Sequence, residues 1–153
     1  MYWTLYDSGK ILQAQMDGTG VNVIVTGLGK PGGIVLDTES GRLFWTEYGS
    51  HKIQSSNAAG GELRKVLQLS KDAGPWGIIL TEGRIYWGNY ENKTLQSCTK
   101  SGNDPRLLYE GSKGINQLTF AAGNVPPNRI NDCEGQNCAN ICVLTSTSFR
   151  CVD

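Results

Sequence analysis

Five cysteines, one histidine and a Gly-x-Gly-x-x-Gly run are the parts of this 153-residue chain with chemistry to offer. A thiolate can attack or hold a metal, an imidazole can move a proton, and a glycine-rich loop ahead of a helix can cradle phosphate. The histidine, His51, has no distinguished partner in a sequence full of serines, and a Ser-His-Asp triad is a matter of geometry, so no catalytic residue is expected. No second pair of residues stands at metal-ligand spacing and His51 falls in a predicted turn, so no metal is expected either. Gly27-Leu28-Gly29-Lys30-Pro31-Gly32 matches the dinucleotide fingerprint in form alone, since no helical pattern follows it. The chain is therefore expected to be no enzyme and to carry no cofactor. The cysteines are more informative. Cys133, Cys138, Cys142 and Cys151 crowd the end of a nearly cysteine-free body, the signature of a disulfide framework and of an oxidising compartment. Asn92-Lys93-Thr94 is a glycosylation sequon in a predicted surface turn, which agrees with passage through the secretory pathway.

The elements that would carry these residues come from an internal repeat. Tyr2, Phe44 and Tyr86 stand 42 residues apart, as do Trp3, Trp45 and Trp87, then Tyr6, Tyr48 and Tyr90. The same offset joins Ile11, Ile53 and Leu95, and Gly18, Gly60 and Gly102. Within a unit the pattern is strand: an apolar run Gly32–Asp37, a turn over 38–41, then RLFWTEY with alternating faces, KIQSSN, a glycine turn and ELRKVLQL. Four strands in about 40 residues, repeated, predict an all-β protein built of propeller blades, because one blade cannot cover its own two faces. Cys98 takes the slot of Ala14 and Ser56, which predicts a small buried strand residue, with a reactive or interchain thiol as the alternative.

The motifs YWTL, FWTE and YWGN resemble the YWTD, or class B, repeats of the low-density lipoprotein receptor family. Pro31-Gly32-Gly33-Ile34-Val35-Leu36-Asp37 is similar to that family's Pro-x-Gly-Ile-Ala-Val-Asp strand, and Met16-Asp17-Gly18 to its Leu-Asp-Gly turn. The resemblance covers the whole chain. It implies a six-bladed ring with the Gly-Ile strand innermost, followed by an EGF-like module. The fourth motif residue departs from the family's Asp, being Leu5, Glu47 and Asn89, so looser blade junctions are expected.

Aligned on the family, residues 2–25 supply three strands of a first blade, about 32–69 a second blade, about 77–110 a third, and Gly114–Phe120 the inner strand of a fourth. The expected domains are a propeller segment over 1–124, with repeats starting near 2, 44 and 86, a linker over 125–132, and a truncated EGF-like module over 133–153. The segment amounts to about three of six blades. Either a longer chain supplies the others, or two chains pair so that Gly114–Phe120 of each completes the first blade of its partner. The longer chain is favoured because the sequence starts inside one motif and stops inside another module. By the same resemblance the tail pairs Cys133 with Cys142 and Cys138 with Cys151. Calcium is not expected there, since Arg129 stands where the calcium-binding form has an acid or amide.

Fourteen basic and fourteen acidic residues cancel and no basic patch interleaves with aromatics, so nucleic acid is not an expected partner. No apolar run approaches a membrane span, and membrane attachment would come only through sequence outside this chain. What remains is binding of an extracellular protein. The resemblance implies that the loops between second and third strands, with those entering each inner strand, form the ligand face. That face would carry Tyr6, Tyr48, Tyr90, His51, Lys30 and Trp76. The tyrosines recur in every copy and have a packing role open to them. Trp76 and His51 have Gly32 and Gly9 as counterparts, so no packing need shared by the blades demands them. A glycan on Asn92 would hinder access to the third blade. The expectation is an extracellular or cell-surface ligand-binding segment, as in endocytic lipoprotein receptors or Wnt coreceptors; the alternative is a secreted matrix protein of nidogen type that binds laminin.

Overall fold

The computed structural model describes residues 1–81, 83–119, 141–144 and 149–152, the last two stretches by backbone alone. Among them the chain is all β. β1 (Tyr2–Leu5), β2 (Lys10–Gln13) and β3 (Asn22–Val25) form a first antiparallel sheet. β4 (Pro31–Asp37), β5 (Arg42–Glu47), β6 (Lys52–Asn57) and β7 (Arg64–Gln68) form a second, in sequence order. β8 (Pro75–Leu80), β9 (Arg84–Asn89), β10 (Thr94–Thr99) and β11 (Arg106–Glu110) form a third. In the fourth, β12 (Gln117–Thr119) pairs with β13 (Ile141–Leu144), which pairs with β14 (Phe149–Val152).

The 42-residue repeat is written into the hydrogen-bond register. Trp3 faces Leu12, Trp45 faces Gln54 and Trp87 faces Gln96, and the bulge in the next pairing falls at Ile11/Leu12, Ile53/Gln54 and Leu95/Gln96. A bulge repeated at one register position twists each sheet alike and lets the sheets stack as copies. β4 runs beside β8, β8 beside β12, and β1 lies against β4.

Three apolar clusters fill the three gaps between sheets. Ile11 and Val25 meet Leu43 and Trp45; Phe44 and Ile53 meet Ile78, Ile85, Trp87 and Cys98; Ile79 and Leu95 meet Ile115 and Leu118. Alternation explains this, since Leu43 and Trp45 leave β5 on one face and Phe44 on the other. Each fully buried Trp, Ile or Leu contributes roughly 1.5–3 kcal/mol by burial. The third motif residue adds a polar tie between sheets. Thr4 Oγ1 donates to the Gly32 carbonyl at 2.7 Å and Thr46 Oγ1 to the Trp76 carbonyl at 2.6 Å. In the third copy this residue is Gly88, and Ile115 fills the space its side chain would occupy.

Linker 125–132, Cys133 and Cys138 lie outside the described residues, as do the side chains of Cys142 and Cys151 and hence the expected pairing. Along the backbone Cys142 stands opposite Cys151 on the β13–β14 hairpin, whose first strand lies in register with β12.

Candidate functional site: an aromatic cluster at the strand ends

The turn after each second strand puts the repeated tyrosine at one end of its sheet, and the strand that follows the connecting loop starts at the same end. Tyr6, Tyr48 and Trp76 therefore meet although they come from three sheets. Their ring centroids lie 6.2 Å (Tyr6–Tyr48), 5.3 Å (Tyr6–Trp76) and 5.7 Å (Tyr48–Trp76) apart, the last pair edge to face at 80°. Lys30 Nζ stands 5.6 Å from the centre of the Tyr6 ring, within reach of a cation–π contact. Lys30 has φ of 55°, and its counterpart is Gly74 at 58°, so a left-handed residue is needed here in both copies. All three rings are half-buried, which leaves an aromatic surface that is rigid and partly wet.

Beneath the cluster a groove of about 370 Å³ runs along the starts of the inner strands, lined by Tyr6, Trp76, Pro31, Gly32, Asn116 and Gln117 among others. Tyr48 donates its hydroxyl proton to Glu91, and that bond, with some burial, raises the phenol above its ordinary pKa of 10.0. Glu91 was not legible as a site residue. The signal available was that its counterpart in the preceding copy is Gly49.

Four of the six expected face residues, Tyr6, Tyr48, Lys30 and Trp76, thus come together. Tyr90 is 50% exposed and packs its ring beside Gly114, outside the three-ring cluster. His51 sits in the β5–β6 turn with φ of 51°, where the other copies place Gly9 at 61° and Lys93 at 61°. Its backbone carbonyl accepts from Leu69 N–H at 2.8 Å, while its Nδ1 is buried with no hydrogen-bond partner among the described residues. Asp72 is held below its ordinary value first by the Ser70 hydroxyl and in smallest part by His51.

Asn92 Oδ1 accepts from Thr94 Oγ1 at 2.8 Å, and Thr94 in turn accepts from Asn89 Nδ2 at 2.8 Å. Cys98 is a free, fully buried thiol, pushed up to about 11 by burial. A thiol with that environment is a poor nucleophile. Among the described residues no three His, Cys, Asp or Glu side chains gather as a metal site, and no helix is long and apolar enough to cross a membrane.

Stacked antiparallel meanders with a repeated register, inner strands side by side and an aromatic cluster at one end define a β-propeller type of protein. No family model and no curated protein matches the sequence. Solved structures do. A chain of the crystal structure of the nidogen/laminin complex is 26% identical with a TM-score of 0.71, covering 78% of this chain and 48% of its own. Virginiamycin B lyase from Staphylococcus aureus is 19% identical with a TM-score of 0.65, over 97% of this chain and 50% of its own, a likeness of fold alone. The PQQ-bound aldose sugar dehydrogenase from Streptomyces coelicolor is 25% identical with a TM-score of 0.59, over 72% and 42%. The chain spans about half the length of the solved structures it matches. Its fold is that of a YWTD-type propeller.

Proposed function

We propose that this chain is the ligand-binding segment of an extracellular, non-enzymatic propeller, and that Tyr6, Tyr48 and Trp76, with Lys30 at the rim, form the surface that takes a protein partner. The observation that carries the reading is the three-ring cluster over the groove. Trp76 is not required by the repeat, yet it is held between two tyrosines that are. Rigid, half-exposed aromatics beside a groove are the side chains that dominate protein interfaces. His51 and Tyr90 belong to the periphery of the same face, and Asn92 would carry a glycan there. The tail cysteines act as disulfide staples.

Two settings divide the reading. The likeness to a chain of the nidogen/laminin complex supports a secreted matrix protein that holds laminin. The YWTD-like motifs equally suit a receptor of the low-density lipoprotein receptor type, endocytic or Wnt-linked, anchored by sequence outside this chain. Neither setting calls for a cofactor.

The test is binding of the secreted chain to immobilised laminin and to a panel of extracellular proteins by surface plasmon resonance, with Trp76→Ala beside it. The variant is expected to keep its β signal and melting transition while losing about 2 kcal/mol of binding to whichever partner is captured, roughly thirtyfold. Unchanged binding by that variant, or a lost melting transition, would make Trp76 a packing residue and overturn the site. Capture by laminin would select the matrix setting.

A further inference from the structure

We propose that the ends of the second and third sheets opposite the aromatic cluster form a second site, which takes a sulfated polysaccharide. The cleft there has a volume of about 550 Å³ and is lined by Arg42, Arg64, Lys65, Lys100, Ser40 and Ser101 over a floor of Phe44 and Val66. Three carboxylates answer these four cations. Asp37 binds Lys100 Nζ at 2.8 Å and Ser40 Oγ at 2.6 Å, Glu39 stands 3.5 Å from the same ammonium, and Glu62 divides itself between Arg42 at 3.4 Å and Arg64 at 3.3 Å. Lys65 has no carboxylate partner among the described residues. Arg64 is held only through Glu62, both groups being more than half exposed, and such pairs exchange readily for another anion.

Blade packing does not demand this charge. At the junction of the first and second sheets, Asn22 and Val23 of the first and Ala58 of the second stand where the cleft has Arg64, Lys65 and Lys100, yet those sheets stack by the same rule. The third sheet, in contrast, continues it. Arg84 bonds Ser97 Oγ at 3.0 Å and Asp104 at 2.8 Å, as Arg42 bonds Ser55 and Glu62, and Arg106 shares Asp104 at 2.6 Å. Cationic groups thus recur at the same strand ends of adjacent sheets with Lys100 between them. A row of that form suits an extended polyanion rather than a single ion. Guanidinium forks pair two-pronged with sulfate oxygens, and hydroxyls of Ser40 and Ser101 are within the cleft to bond the ring hydroxyls of a sugar. A single-stranded nucleic acid would want exposed aromatic platforms, and the one ring in the cleft, Phe44, is 2% exposed. The proposal rests on the extracellular reading but not on the aromatic face.

The experiment is a solution titration of the chain with heparin, paired with elution from immobilised heparin in rising salt. The wild type is expected to bind, with affinity falling as salt rises. Arg64→Ala/Lys65→Ala should keep its circular dichroism and lose about tenfold in affinity. Lys71→Ala, an exposed lysine outside the cleft, should bind as the wild type does. Desulfated heparin should not bind. No binding by the wild type, an equal loss in Lys71→Ala, or equal binding of the desulfated chain would each overturn the site. None of these results bears on laminin binding at the other end.

Discussion

Glu47 is a carboxylate with no exposed surface, and its neighbours explain why it is tolerated. Burial by itself would raise its pKa. The Ser50 hydroxyl, the Gln54 amide, the Gly29 N–H and the Lys52 ammonium outweigh that and hold it below its ordinary 4.5. A depressed value in the folded state gives stability that is present above the unfolded pKa and lost as pH falls through the folded one. Glu47→Gln is therefore expected to cost about 1.5–3 kcal/mol near neutral pH. In thermal melts across a pH series the gap from the wild type should close below 4.5; a constant gap would show that packing, not charge, holds the site. Thr46→Val tests the tie between sheets. It keeps the shape but leaves the Trp76 carbonyl unpaired, at an expected cost of about 1–3 kcal/mol read from denaturant midpoints. The sequence showed that position 47 departs from the Asp of the repeats it resembles. It did not show that Ser50, Gln54 and Gly29 would satisfy the longer side chain, because those partners lie in the turn before β6, on β6 itself and in the loop ahead of β4.

At the scale of the strand and turn, one repeated glycine does different work in different copies. Gly18, Gly60 and Gly102 share φ near 85°, at 84°, 84° and 85°, in the turn between third and fourth strands. A Cβ on Gly18 would meet nothing, whereas on Gly60 and Gly102 it would fall 2.1 Å and 2.0 Å from the Ile24 and Val66 carbonyl oxygens of the preceding sheet. Gly18→Ala should cost about 1 kcal/mol, from backbone strain alone. Gly102→Ala should cost at least twice that and blur the junction, visible as lost amide protection in β7 and β10 by hydrogen exchange. The third copy offers a further test. Restoring the motif with Gly88→Thr should destabilise, because a Cβ there lies 2.4 Å from Ile115 Cγ2. Overpacking of this kind costs about 1–3 kcal/mol, and a rise in melting temperature would refute the account. Strand positions, turns and the period were legible because 2-residue alternation and turn glycines are local signals; that Ile115 replaces a threonine contact was not, because Ile115 lies in the loop ahead of β12, far along the chain from Gly88 on β9.

Across the whole molecule the first sheet stands apart. Its face turned away from the second sheet presents Trp3, Leu5 and Leu12 where the other copies place Trp45 with the Glu47–Gln54 pair and Trp87 with Asn89–Gln96. Leu5 is 39% exposed, and no described sheet covers that face. Copying the second repeat with Leu5→Glu/Leu12→Gln should preserve the β signal and lower binding of an apolar dye; undiminished dye fluorescence would place the exposed apolar surface elsewhere. The sequence by itself determined the all-β class, the 42-residue unit, the strand order within each unit and the pairing of alternating faces to alternate gaps, since each follows from periodicity along one stretch of chain. The resemblance, in turn, put Tyr6, Tyr48, Trp76 and Lys30, together with Tyr90 and His51, on one face at the strand ends. Only the tertiary structure decided that these four touch while Tyr90 and His51 stand aside, that Glu91 joins them, and that cations from two sheets share one cleft. Such contacts depend on how far one sheet is turned against the next, a quantity set by the summed packing of side chains from both and written in neither alone.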